Sequence, residues 1–184
     1  MSHASATENA PDRVVAPLRE LRQPLFDGLR QLQIAAAAVT GAECRVALSA
    51  LDVALSYLQN EFMPVAKAEE FTFFIAVDGV IGTVDATRVM KAQHASIGAM
   101  VTDLSQVTEA ARKDDDVEAY GRYLLPLLHG LYALIRAHLE AEDDAYVSLL
   151  DAHLSESQVG VIVDNIRRIA TTGGQAPEYH GDGD

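Results

Sequence analysis

Apolar residues recur along most of this chain at alternating steps of three and four, the spacing that gathers side chains on one face of an α-helix. No period-two alternation competes with it, so the expected fold class is all-α. A first helix is predicted from about Ala16 to Val39, with Leu18, Leu21, Leu25, Gly28, Leu32, Ala35 and Val39 on one stripe. Pro24 should kink it or mark its true start, because proline lacks the N–H that an inner turn needs. The second helix, about Cys44 to Val77, carries Leu51, Leu55, Leu58, Phe62, Val65, Glu69 and Phe73 along its seam, with a bend expected at Pro64. The third begins near Asp85 as N-cap and presents Met90, His94, Ile97, Val101 and Leu104. The fourth, about Val117 to Leu150, shows Leu124, Leu128, Leu131, Ile135, His138, Glu142, Ala145 and Leu149, with Pro126 near its start. A shorter fifth helix, Glu156 to Ala170, is announced by the capping-box pair Ser155 and Gln158. Its Val159, Ile162, Val163, Ile166 and Ile169 should pack outside the bundle.

The turns around Gly41, Ile81 and Asp115 are short, which makes sequential helices antiparallel neighbours in an up-down-up-down four-helix bundle. Two residues of a helical hairpin lie level when they are equally far from its turn, since each helix rises about 1.5 Å per residue. Glu69 and His94 share a midpoint at Ile81–Gly82, and His94 and His138 share one at Asp116. With Glu142 one turn beyond His138, four polar residues from three helices are expected at one level of the interior. The same rule sets Leu21 level with Val65, and both are apolar.

Composition narrows the function classes. The 184 residues, 49% of them hydrophobic, suffice for one domain with a substantial core. Residues 14–170 are read as that domain, 1–13 as a flexible N-terminal segment and 171–184 as a disordered tail, since neither end has much to bury. A net charge of -13, from Asp+Glu 27 against Lys+Arg 14, should repel phosphate backbones and anionic membranes, so neither nucleic acid nor a membrane is an expected partner. Charges interrupt every apolar run before the roughly 20 residues of a membrane span. Cys44 stands alone and can form no intramolecular disulfide, and the first residues lack a signal-peptide layout, so a cytoplasmic address is expected.

Carboxylates inside a core cost several kcal/mol unless they are satisfied. Imidazole nitrogen and carboxylate oxygen together suit iron, manganese or zinc, and helix bundles hold such metals with inward Glu and His. The plainer alternative is two His–Glu hydrogen-bonded pairs that fill the core without an ion.

At these residues the chain resembles the hemerythrin-like family, the HHE cation-binding domain, over about Leu18 to Leu154. The stretches FMPVAKAEEFTFF, ATRVMKAQHASIGAMVTDL and LIRAHLEAEDDAYVSLLDAHLSESQ are similar to that family's second, third and fourth helices. The resemblance implies a non-haem di-iron pattern of a histidine on the first helix, His-x-x-x-Glu on the second, a histidine on the third and His-x-x-x-Glu or Asp on the fourth. Glu69, His94, His138 and Glu142 match it, whereas Leu21 and Val65 stand where two histidines are implied. The implied cofactor is therefore a reduced site, with a single iron, or manganese or zinc in its place, held by Glu69, His94, His138 and Glu142, or with no metal if the site is fully degenerate. The implied partner is a small molecule or a diatomic gas such as dioxygen or nitric oxide, and a homodimer is left open.

Glu61 could add an oxygen ligand if a bend at Pro64 turned it inward, although most helix charges face water. Tyr146, one turn beyond Glu142, is the best outside candidate for a redox-active phenol. His129 is about two turns from His138, His3 and His180 lie in the tails and His153 is expected at a surface, so none is read as a ligand. Two other functions compete: a repurposed enzyme or small-molecule binder that uses the cavity without a di-iron centre, with acid and base chemistry from the same residues, and a non-catalytic bundle that binds a partner.

Overall fold

The periodicity resolves into helical rods, and the computed structural model describes residues 14–172 of them, with no strand among the described residues. The expected flexible segment 1–13, nearly all of the expected tail, and with them His3 and His180, lie outside the described residues. The first rod is α1 (Ala16–Gly41), whose buried face is Leu18, Arg22, Leu25, Leu29, Leu32, Ala35, Ala36 and Val39. The stripe thus passes through Arg22 and Leu29, with Leu21 and Gly28 only half-buried beside it. Pro24 does not mark the start of the helix: it is exposed within α1, where the carbonyl it leaves unbonded can meet water.

The second rod is α2 (Cys44–Tyr57), a π-helical turn (Leu58–Phe62), α3 (Met63–Glu70) and α4 (Phe73–Ile81). Pro64 sits in the first turn of α3, directly after the π turn. A second break follows at Phe71 and Thr72, where the Thr72 hydroxyl donates to the Ala68 carbonyl at 2.7 Å. Gly82 then closes α4 in the left-handed region at φ 82°, a conformation that glycine adopts without a steric penalty.

The third rod, α5 (Arg88–Asp114), begins later than Asp85. Its N-cap residue, Thr87, is held by the preceding helix, its backbone N–H and hydroxyl both donating to the Asp78 carboxylate, at 3.0 and 3.2 Å. The fourth rod is α6 (Val117–Ala141), a π turn (Glu142–Val147) and α7 (Ser148–His153). The extra residue in that π turn moves the inward stripe from the expected Ala145 and Leu149 to Val147 and Leu150. The fifth, α8 (Glu156–Thr171), starts with the expected Ser155 and Gln158 capping box.

Around the bundle the first rod touches the second and fourth, and the third also touches the second and fourth, which is the antiparallel up-down-up-down order. α8 crosses α3 and α1 and buries Val159, Ile162, Val163, Ile166 and Ile169 against Phe73, Phe74, Val147 and Leu150. Two apolar cores result. One fills the bundle from Leu25 to Leu139, and the other lies under α8 around Leu18 and Phe73. The buried Arg22, Glu69, His94, His138 and Glu142 lie together where the two cores meet, with Phe62 of one and Phe74 of the other against His94. Among the described residues no helix is long and apolar enough to cross a membrane.

The first two rods approach closely at Gly28. A Cβ there would lie 2.0 Å from the Tyr57 ring, and that ring is fixed because its hydroxyl donates to the Leu25 carbonyl at 2.6 Å. Gly28→Ala should therefore lower stability by about 1–3 kcal/mol, the usual cost of overpacking, as read by urea unfolding.

Candidate metal centre

Glu69 from α3, His94 from α5, and His138 and Glu142 from the fourth rod converge as the midpoint rule predicts. One donor atom from each lies within 4.8 Å of the others, and all four residues are buried. The two imidazoles face each other, with His94 Nε2 2.8 Å from His138 Nε2. Glu142 Oε1 is 3.2 Å from His138 Nε2, off the line of a hydrogen bond, and Glu69 Oε2 is 3.9 Å from His94 Nε2.

The outer ring nitrogens decide what the inner ones can do. His94 Nδ1–H donates to Glu70 Oε1 at 3.0 Å, and His138 Nδ1–H donates to Gln93 Oε1 at 2.9 Å. With both Nδ1 atoms engaged as donors, the two Nε2 atoms are turned toward each other at hydrogen-bond distance, so that either a proton or a cation is called for between them. Burial and the neighbouring His138 both lower the pKa of His94, which keeps its ring neutral. Glu142 Oε1 is buried and without a hydrogen-bond partner. The donor set therefore fits a cation: two imidazole nitrogens and two carboxylate oxygens, the imidazoles supported by acceptors on their far sides.

Aromatic rings close the apolar walls. Phe74 stacks on His94 at 5.3 Å between centroids, and Phe62 sets its edge toward both imidazoles at 6.5 and 6.4 Å. One side is open: a cleft of about 610 Å³ reaches His94 between α3 and α5, lined by Met63, Pro64, Lys67, Glu70 and Gly98 among others.

Sequence reasoning missed Arg22. Its side chain is 1% exposed and spends its donors on four partners. Nη1 donates to Glu69 Oε1 at 2.7 Å, Nη2 to Glu142 Oε2 at 2.5 Å and to the Leu139 carbonyl at 3.3 Å, and Nε to Asp143 Oδ1 at 2.8 Å. Burial opposes its charge, but Glu142 and Glu69 outweigh that and raise its pKa, so the guanidinium stays charged. Burial would also raise Glu142, yet the Arg22 charge and the His138 ring hold its carboxyl down at about 2. Glu69 goes the other way, pushed well above the usual carboxylate range by burial and by the charge of Glu142. A signal was present, since Arg22 falls four residues after Leu18 and three before Leu25 on the apolar stripe. Glu70 and Gln93 carried no such signal, each being the neighbour of a ligand candidate.

The remaining expectations resolve around this geometry. Leu21 and Val65, where the two histidines were implied, are half-buried and pack against the core under α8. Glu61 is exposed beside Pro24, Asp27 and Tyr57 and does not turn inward; it lies within the π turn Leu58–Phe62. The Tyr146 ring packs edge-on against Phe73 and Phe74, while its hydroxyl donates to the Ala86 carbonyl at 3.1 Å, away from the donor atoms. His129 and His153 are exposed.

A family model described as the hemerythrin HHE cation binding domain matches residues 15–150. No curated protein and no solved structure matches the chain.

Proposed function

Because the chain belongs to the hemerythrin HHE cation-binding family, we propose that its buried polar layer holds a single non-haem iron and that the loaded protein binds or reacts with a small oxidant such as dioxygen, peroxide or nitric oxide. The observation that carries this reading is the pair of opposed Nε2 lone pairs, fixed by Glu70 and Gln93, beside the unpartnered Glu142 Oε1. His94, His138, Glu142 and Glu69 would hold the ion, while Arg22 keeps both carboxylates turned. A bound iron would supply redox chemistry and open coordination positions.

The chain's own residues supply the rest. Phe62 and Phe74 exclude bulk water, Glu70 and Gln93 hold the imidazoles in one tautomer, and the cleft at His94 admits a small molecule from one side. Protein stripped with chelator and given ferrous iron anaerobically is expected to retain one equivalent per chain, and His138→Ala to retain none while staying folded. Equal retention by wild type and variant would remove these residues from the site. Anaerobic addition of nitric oxide to the iron-loaded protein should change its visible spectrum, and an unchanged spectrum would refute the oxidant half of the proposal.

A further inference from the structure

We propose that Arg22 is a built-in cation occupying a second cation position, so that it fixes the number of metal ions the site accepts at one. The inference rests on the proposed iron site for that first ion. It is carried by the way the two buried carboxylates divide their oxygens. Glu69 turns Oε1 to Arg22 Nη1 at 2.7 Å and Oε2 toward His94 Nε2 at 3.9 Å. Glu142 turns Oε2 to Arg22 Nη2 at 2.5 Å and Oε1 toward His138 Nε2 at 3.2 Å. The carboxylate pair thus stands between two places that call for positive charge, one facing the imidazoles and one filled by the guanidinium.

The shell around the guanidinium is all oxygen: Glu69 Oε1, Glu142 Oε2, Asp143 Oδ1 and the Leu139 carbonyl. Such a shell of carboxylates and one carbonyl is what a hard divalent cation prefers. Arg22 is 1% exposed and Asp143 is also paired by Arg19 at 3.6 Å, so the position is enclosed on the protein side. While the guanidinium is present, its volume and charge exclude a second ion. With the side chain cut back, three carboxylates face an unfilled space without their buried counter-charge, and a divalent cation from solution can take its place.

Arg22→Ala tests this, with Arg22→Lys as the variant that keeps a charge and Arg22→Gln as the one that keeps bulk without charge. Full-length protein stripped of metal is titrated with Mn²⁺, bound ion being read from the loss of the free-ion electron paramagnetic resonance signal, and thermal unfolding is followed in parallel. The R22A protein is expected to bind one equivalent more than wild type, with an unfolding midpoint that rises with Mn²⁺ to a greater extent than that of wild type, whereas R22K binds the same number as wild type. If R22A does not fold without metal, the Mn²⁺ bound at full recovery of helical circular dichroism is counted in R22A and R22Q, and one equivalent more than wild type supports the assignment. The same stoichiometry in R22A and wild type, or no recovery in either variant, overturns it. Since the readout is a difference, an increase from none to one supports the role of Arg22 while refuting the wild-type iron site, and an unchanged single equivalent does the reverse.

Discussion

Arg22→Leu is expected to lower the unfolding free energy by about 3–5 kcal/mol in urea titrations run with chelator, the range found when one partner of a buried ion pair is removed. The size follows from what remains behind. Glu69 and Glu142 would face each other in the bundle interior with neither the guanidinium nor solvent to balance them. Leucine replaces some of the lost packing against Phe73, over whose ring the Arg22 guanidinium carbon sits at 5.7 Å, but it can donate to none of the four acceptors. Part of the loss is relieved by proton uptake, because Glu69 already has a raised pKa through burial and through Glu142 and is the carboxyl readier to go neutral. An effect below about 1 kcal/mol, the level of an exposed ion pair, would mean that this network is solvated.

The second large effect concerns affinity. Gln93→Leu and Glu70→Leu each remove the acceptor behind an imidazole, and each should weaken iron binding by roughly 10–100-fold, the usual consequence of losing a ligand's supporting partner. His94→Ala removes a ligand together with its orientation and should weaken binding further than either. The ordering is the informative part, and competition against a chelator of known affinity reads it. If Gln93→Leu and Glu70→Leu leave affinity unchanged while His94→Ala abolishes it, the tautomer argument fails although the ligand assignment stands.

Much of this was written in the apolar spacing. The level of Glu69, His94 and His138 follows from equal distances to short turns, a relation that depends only on helical rise and on the antiparallel order of the rods. The capping box at Ser155 and the outward-packed face of α8 were legible for a similar reason, since both are local patterns. Phase was harder to read. The π turns at Leu58–Phe62 and Glu142–Val147 each add a residue to a turn without any compositional mark, and the second moved Val147 and Leu150 inward in place of Ala145 and Leu149. Arg22 was hidden by a different cause. A long cation one residue from Leu21 reads as a solvated charge until the three carboxyl groups that hold it, brought from the second and fourth rods, are assembled in space. The N-cap residue of α5, Thr87, is likewise held from outside its own segment, by Asp78.

The most direct test of the central claim is an anomalous-scattering map from crystals of the full chain grown without chelator and soaked anaerobically in ferrous iron. One peak is predicted per chain, about 2 Å from His94 Nε2, His138 Nε2 and Glu142 Oε1, with Glu69 drawn in as a further oxygen ligand and the Arg22 guanidinium still in place. No peak among these side chains, or two peaks with Arg22 displaced, would contradict the account.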